Sequence, residues 1–352
     1  MAENLSGFGS WSVLTTDFLI TLYLALGGVT LSAVLHLANG QWRFQIRHLA
    51  CSFFVLFPIA GILLAILLYN GDHTFQWFAH AHAAEQGEHH LSGWHNYTFL
   101  VWREILGFIA VAVLYGLFIK YQYQSEIDSS YAAQRRFRNI ALLIPFGYFL
   151  YGSMVAWDFE MTMVPGWHSA SYAPYFFQSN FHMFLAFFTI FLFFMRRSGK
   201  LAKPFETYIF NFMAQFMLAM TILYTYLYFT QYLIMWYGRL PGDIGRYHHM
   251  MQEGFGPLWW TFLALKFIIP FTTLAITPNR HNPAVITTVA CSIVLGTWIE
   301  RYTWIAGSVD SRYYHMPMTN MFDIVVTIVV IAVSWFAVKW ALNRYGLVRS
   351  SS

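Results

Sequence analysis

The segment between residues 157 and 182 carries side chains that could transfer protons. Asp158 stands at its start, and His168 follows ten residues later, after a Pro-Gly-Trp sequence. A carboxylate and an imidazole can accept protons and pass them on near neutral pH. We therefore predict Asp158 and His168 as catalytic proton groups; the alternative is a loop packed by its own aromatic rings. Flat apolar walls for a ring-shaped ligand are offered by Trp167, Tyr172 and Phe176.

Two neighbouring charges, Glu300 and Arg301, end a long apolar run. Neighbouring residues point about 100° apart on an α-helix, so we expect each of the two to pair with a different helix. The expected partner of Glu300 is Arg103, which is also expected beside the ligand. The expected partner of Arg301 is Asp158 or Asp323.

Other ionisable residues also interrupt apolar stretches, where a charge is costly and is a candidate for function. Lys266 is isolated in apolar sequence, so it either extends to the membrane surface or neutralises a buried carboxylate. Charges at helix ends can also simply anchor the helices at the lipid headgroups. The residues predicted for ion pairs or a proton path are Glu104, Glu160, Lys266, Glu300, Arg301 and Asp323.

A histidine-rich stretch invites a metal interpretation, which its spacing does not favour. No two histidines among His80, His82, His89 and His90 are separated by four residues, the spacing that chelates from one helix face. The two cysteines are too few for a cysteine-ligated iron–sulfur cluster, and no Cys-x-x-Cys-His sequence could attach haem. We therefore expect that the chain binds no metal, haem or iron–sulfur cofactor of its own.

The elements that position these residues must be membrane helices. Of the 352 residues, 58% are hydrophobic, 20% are aromatic and 10% are charged, and the mean hydropathy is +0.48. Soluble proteins carry roughly 25% charged residues, so a water-soluble enzyme is excluded. The small net charge of +4 gives no indication of nucleic-acid binding. We therefore predict that residues 1–352 form a single polytopic membrane domain.

Nine apolar stretches, within a range of eight to ten, are long enough to span a bilayer as α-helices. The predicted spans are 16–37, 47–69, 98–121, 139–159, 173–195, 207–236, 257–277, 283–304 and 320–342.

Basic residues give the expected orientation of these spans. Fourteen of the twenty lysines and arginines fall on alternate connections, after the first, third, fifth and seventh spans, and on the C-terminal tail. Lysine and arginine in short loops stay on the cytoplasmic side. We therefore expect the N-terminus outside and the C-terminus in the cytoplasm, with Asp158 and His168 at the outer face.

The motifs of the chain together resemble the NrfD/PsrC family of quinone-interacting membrane subunits, especially the ActC/ActF type of alternative complex III. Asp158 with residues 165–169 and 174–176 is the most specific part of the resemblance. The other motifs are Tyr232 with Trp236-Tyr237-Gly238, Gly256-Pro257 with Trp259-Trp260, Pro270-Phe271, and Gly296-x-Trp298-x-Glu300-Arg301-Tyr302.

The resemblance implies two four-helix bundles with a flanking helix. It also implies a membrane subunit of a respiratory quinol-oxidising complex in the bacterial inner membrane. It implies a homologous membrane subunit and periplasmic iron–sulfur and multihaem cytochrome c partners, which would hold the redox cofactors, with quinol as the substrate. The ActF type instead implies proton movement, so an anchor or proton path without a quinone site remains an alternative. A b-haem anchor and a membrane di-metal hydroxylase are further alternatives.

Overall fold

The computed structural model describes residues 8–78, 92–238, 241–308 and 316–349. These residues form helices and connections, with an isolated β-bridge between Leu201 and Val348. Nine helices of this described part are long and apolar enough to cross a membrane, which confirms the predicted all-α integral membrane fold. In chain order they are α1 Phe8–Leu37, α2 Arg43–Tyr69, α3 Tyr97–Ile127, α4 Tyr131–Met161, α5 Tyr172–Ser198, α6 Tyr208–Tyr237, α7 Gly256–Leu274, α8 Pro283–Ala306 and α9 Met321–Arg344.

The helices pack as two groups of four and one flanking helix. Helices α1 to α4 contact one another, and so do α5 to α8, while α1 and α4 join the two groups through α5 and α8. Helix α9 packs against α1 and the middle of α2, at Ser52–Leu56. Much of its surface carries exposed apolar side chains, as do the outer faces of α3 and α4, which suits contact with lipid.

Helix α1 begins about two turns before the predicted span. Its first residues are rich in serine and threonine, which lowers their hydropathy. The hydroxyls of Ser12 and Thr16 donate hydrogen bonds to backbone carbonyls one turn earlier, 2.7 and 2.8 Å away. These bonds satisfy the polar groups inside the helix, so that a buried helix can contain them.

The connections confirm that successive spans alternate in direction. Gln45, in the α2 segment that follows the first connection, accepts a 2.8 Å hydrogen bond from the Glu206 amide before α6. Arg47 pairs at 2.8 Å with Glu126 at the end of α3. The connections after α1, α3 and α5 therefore lie at one end of the molecule, here called the basic end. The connections after α2, α4 and α6 meet at the opposite end, here called the site end.

Two helices contain a π-helical turn, at Trp157–Met161 in α4 and at Ala264–Ile268 in α7. A π turn accommodates one extra residue and changes the direction of the side chains beside it, and such turns are frequent at functional sites. These two turns carry Asp158, Glu160 and Lys266. A further helix, Pro241–Gln252, was not predicted and connects α6 to α7 at the site end.

Candidate functional site

A cavity of about 550 Å³ opens at the site end between the α4–α5 connection and the residues that precede α3. Its volume lies in the range of small-molecule pockets. Gly166, at φ +85°, makes the turn in the α4–α5 connection, in a conformation that favours glycine. The principal lining residues are Trp94, His95, Trp157, Thr162, Trp167 and His168.

Two imidazoles line this cavity in different surroundings. His95 is half-buried, with Nε2 3.1 Å from the Thr162 carbonyl oxygen and Nδ1 2.8 Å from the Ser92 hydroxyl. Burial lowers the pKa of His95, and the nearby Arg103 guanidinium lowers it further. His168 is exposed to solvent. The predicted His168 is therefore at the cavity, together with His95, which was not predicted as a site residue.

Asp158 lies directly behind the cavity wall and does not open into it. It is fully buried, and Arg103 donates two hydrogen bonds to its carboxylate, at 2.8 and 2.6 Å. The Trp94 indole donates a third, at 2.7 Å. Arg103 also stacks on the Trp94 ring, 4.0 Å from its centroid. Asp158, predicted as a catalytic proton group, thus lies in an ion pair with Arg103 behind the cavity wall.

Glu104 follows Arg103 on α3 and is fully buried close to Asp158. No basic residue of the described chain forms an ion pair with it. A charged carboxylate in such surroundings costs several kcal/mol. The net charge of the cluster formed by Arg103, Glu104 and Asp158 therefore depends on whether Glu104 is protonated.

A larger set of charges lies inside the second group of helices and is here called the buried network: Glu160, Ser179, Lys266, Glu300 and Arg301. Glu300 is its centre. Its carboxylate pairs with the Lys266 ammonium, accepts a 2.7 Å hydrogen bond from Ser179, and lies 2.9 Å from Arg301. Arg301 in turn pairs at 2.7 Å with Glu160. The four charged side chains are fully buried, and their two positive and two negative charges balance.

Three tyrosine hydroxyls complete this network. Tyr175 and Tyr224 donate to one carboxylate oxygen of Glu300, and Tyr172 donates to Glu160. A buried carboxylate needs such donors, because each oxygen has two lone pairs to satisfy. The network thus joins α4, α5, α6, α7 and α8.

The expectation that Glu300 and Arg301 pair with different helices is confirmed, but both predicted partners were wrong. Glu300 pairs with Lys266 and not with Arg103. Arg301 pairs with Glu160 and not with Asp158 or Asp323. The two neighbours also contact each other, because a long arginine side chain spans the angle between adjacent helix positions. Of the two alternatives for Lys266, the structure shows the neutralised carboxylate.

The remaining predicted residues lie apart from the cavity. Tyr172 and Phe176 are fully buried and do not line it, so their expected role as its walls needs correction. Their rings face the buried network: Phe176 packs under the Arg301 guanidinium, at 4.7 Å. Asp323 begins α9 and is fully buried. Trp167 is the one predicted wall residue of the three that the structure places at the cavity.

Arg246, on the unpredicted connecting helix, closes the site end above the buried network. Its guanidinium donates to the carbonyl oxygens of Glu160, Met161 and Trp304, at 2.9, 3.2 and 3.1 Å. It also stacks on Trp167, 4.5 Å from the ring centroid. Burial lowers the pKa of Arg246 from its ordinary value. Arg246 was not predicted as a site residue, because its twelve-residue segment is too short and too polar to be read as a membrane span.

Within the described ranges, no group of three or more His, Cys, Asp or Glu side chains is placed to hold a metal ion. The loop histidines His80, His82, His89 and His90 lie outside the described residues. No protein-family model matches the chain, and no curated protein matches its sequence.

Proposed function

We propose that the chain is an integral membrane subunit of a respiratory quinol-oxidising complex, and that quinol binds in the cavity at the site end. The observation that carries this proposal is a pocket of ligand size in which two imidazoles, His95 and His168, stand among tryptophan rings. Flat aromatic walls suit a quinol ring, and the imidazoles suit its two hydroxyl groups.

Oxidation of quinol releases two protons and two electrons. The Thr162 carbonyl oxygen can only accept a hydrogen bond, so Nε2 of His95 carries the ring proton. Its Nδ1 lone pair then takes up the first proton through the adjacent Ser92 hydroxyl. His168 accepts the second and passes it to water, since it is exposed. The Asp158–Arg103 pair acts indirectly by holding Trp94 in the cavity wall. Electrons leave to a partner protein that carries iron–sulfur or haem groups.

The site end then faces the periplasm of a bacterial inner membrane, and the basic end faces the cytoplasm with the C-terminus. The distribution of lysine and arginine supports this orientation. The periplasmic partners are iron–sulfur and multihaem cytochrome c subunits, and a homologous membrane subunit lies alongside. The motif resemblance supports these partners.

A proton-conducting or purely structural anchor is the second candidate function. The observation that favours it is the buried network, which joins five helices through charged and hydroxyl groups. Such intramembrane chains mark proton relays in other membrane proteins. In this alternative the subunit holds its partners and moves protons, and it has no quinone site.

Quinol oxidation by the purified complex tests the proposal against this alternative. His95→Gln and His168→Ala should each lower the quinol-dependent electron-transfer rate by about tenfold to 100-fold, because each removes a general base. Asp158→Asn should weaken binding of a quinone analogue by releasing Trp94. The control is His281→Ala, an exposed histidine near the basic end. If the three site variants assemble and oxidise quinol at the wild-type rate, the anchor is the better description.

A further inference from the structure

A second cavity, of about 410 Å³, lies within the membrane-spanning part of the protein. It is bounded by α1, α2, α5, α8 and α9, and it shares no lining residue with the cavity at the site end. Most of its wall is apolar, formed by residues such as Leu24, Phe53, Phe187, Val294 and Val338. We call it the lateral cavity.

One end of the lateral cavity is polar. The Asp17 carboxylate there accepts a 3.0 Å hydrogen bond from the Trp298 indole and a 2.6 Å hydrogen bond from the Thr327 hydroxyl. Asp17 is only 5% exposed. Each carboxylate oxygen offers two lone pairs, so each can accept one further hydrogen bond from a ligand. A ligand at this end must therefore donate a hydrogen bond.

The depth of this polar end limits which kind of head group a ligand can place there. Asp17 lies nine residues into α1, about 14 Å along the helix. Helix α1 has 30 residues, or about 45 Å, against a hydrocarbon core of about 30 Å. Asp17 therefore lies a few ångströms inside the hydrocarbon. A phospholipid phosphate stays in the headgroup layer outside it, and an anionic head would also be repelled by the carboxylate.

The apolar part of the cavity gives the ligand a tail and a route of access. From Thr327 to Val338 the cavity follows α9 for eleven residues, about 16 Å. Ile331 and Trp335 line the cavity, and each is also 62% exposed on the outside of the molecule. The cavity therefore opens between α9 and the rest of the protein toward the lipid.

We propose that the lateral cavity binds a lipophilic hydroxyl compound, with its hydroxyl group on Asp17 and its apolar tail along α9. A reduced quinol and an isoprenoid or sterol-like alcohol share this chemistry. Binding at this site does not depend on the proposed function, because none of its residues takes part in the cavity at the site end.

Binding measurements on the purified full-length protein in lipid nanodiscs test this proposal. The probes are farnesol, which has an isoprenoid tail and one hydroxyl, decylubiquinol, and its oxidised form, which lacks donor hydroxyls. At least one hydroxyl probe should bind saturably, and Asp17→Asn should weaken that binding about tenfold through loss of a charge-assisted hydrogen bond. The oxidised form should respond less to this substitution.

A substitution that fills the cavity gives an independent measurement. Ser334→Phe places a ring inside the cavity and should abolish the part of the hydroxyl-probe binding that Asp17→Asn weakens. Val333→Phe is the matched control, because Val333 is the exposed neighbour on the same helix and does not line the cavity. It should change affinity less than twofold, and both variants should elute as monodisperse protein.

Mass spectrometry of lipids extracted from the purified protein identifies the natural ligand. Recovery of a quinol, or of an isoprenoid or sterol-like alcohol, that is lost from Ser334→Phe but kept in Val333→Phe decides between the two sources. The proposal is overturned if neither hydroxyl probe binds, or if binding is unchanged in both Asp17→Asn and Ser334→Phe. Absence of any decylubiquinol binding would also count against the quinol site at the site end. Decylubiquinol binding that is unchanged in both Asp17→Asn and Ser334→Phe would place the probe at the site end, where His168→Ala reports on it separately.

Discussion

At the scale of single residues, the charges of the buried network stabilise the protein only as a complete set. Lys266→Met leaves Glu300 without its ammonium partner, and breaking a buried ion pair costs about 3–5 kcal/mol. The double variant Lys266→Met/Glu300→Gln restores the charge balance and should recover part of this loss. Reversible unfolding in mixed micelles measures both free energies of unfolding.

Lys339→Met is the matched control for this cycle, because Lys339 is exposed on α9. It should change the free energy of unfolding by less than about 0.5 kcal/mol. The network does not act as one balanced set if Lys266→Met is equally mild. The same conclusion follows if the loss of stability in the double variant equals the sum of the losses in Lys266→Met and in Glu300→Gln alone.

His95 should make the stability of the protein sensitive to acid. Burial lowers its pKa in the folded state below the value of about 6.5 found in unfolded chains. The unfolded state therefore binds more protons as the pH falls below about 6.5, and stability decreases until the pH passes the folded-state pKa. His95→Gln should reduce this decrease, as measured by unfolding midpoints between about pH 8 and pH 5.

The corresponding substitution of the exposed His281, His281→Gln, should leave the pH profile as it is in the wild type. A wild-type unfolding midpoint that stays constant through this pH window, or a His95→Gln profile that coincides with it, would contradict the assigned role of burial at His95.

At the scale of helices, close backbone approach fixes how α1 meets α2. A Cβ atom at Gly28 would lie 1.9 Å from the backbone carbonyl oxygen of Ala50, and a backbone atom cannot move aside as a flexible side chain can. Gly28→Ala should therefore force the two helices apart and destabilise the protein by about 1–3 kcal/mol or more. The free energy of unfolding measures this effect.

Gly116→Ala on α3 is the matched control, since a Cβ at Gly116 meets no atom within 4 Å. Alanine is the better helix former by up to about 1 kcal/mol, so this variant should be neutral or slightly stabilised. Equal behaviour of the two variants would show that the Gly28 contact does not limit the packing of α1.

At the scale of the whole molecule, the proposed orientation predicts which end reagents reach in intact cells. Ala170→Cys lies on the exposed α4–α5 connection at the site end, and Ser129→Cys lies on the exposed connection at the basic end. In a Cys291→Ser background, which removes the exposed native thiol, a membrane-impermeant maleimide should label Ala170→Cys directly. Ser129→Cys should react only after permeabilisation. The opposite labelling pattern would invert the orientation.

Hydropathy determined the fold class and the nine spans, and the distribution of lysine and arginine determined their alternation. A membrane span is defined by the summed transfer energy of about 20 successive residues, so it can be read without knowing its neighbours. The same property explains two errors. The hydroxyl-rich start of α1 was left out of its span, and the connecting helix Pro241–Gln252 was not predicted. Hydrogen bonds and packing hold both segments, and hydropathy does not register these interactions.

Only the tertiary structure decided how the ionisable residues are divided between sites. The sequence showed that Glu300 and Arg301 needed partners, because a buried charge is costly whatever its surroundings. It did not show which partners, since pairing depends on the rotation of each helix about its axis. The π turn in α7 changes that rotation beside Lys266, where it pairs with Glu300, and Arg103 is left to bind Asp158.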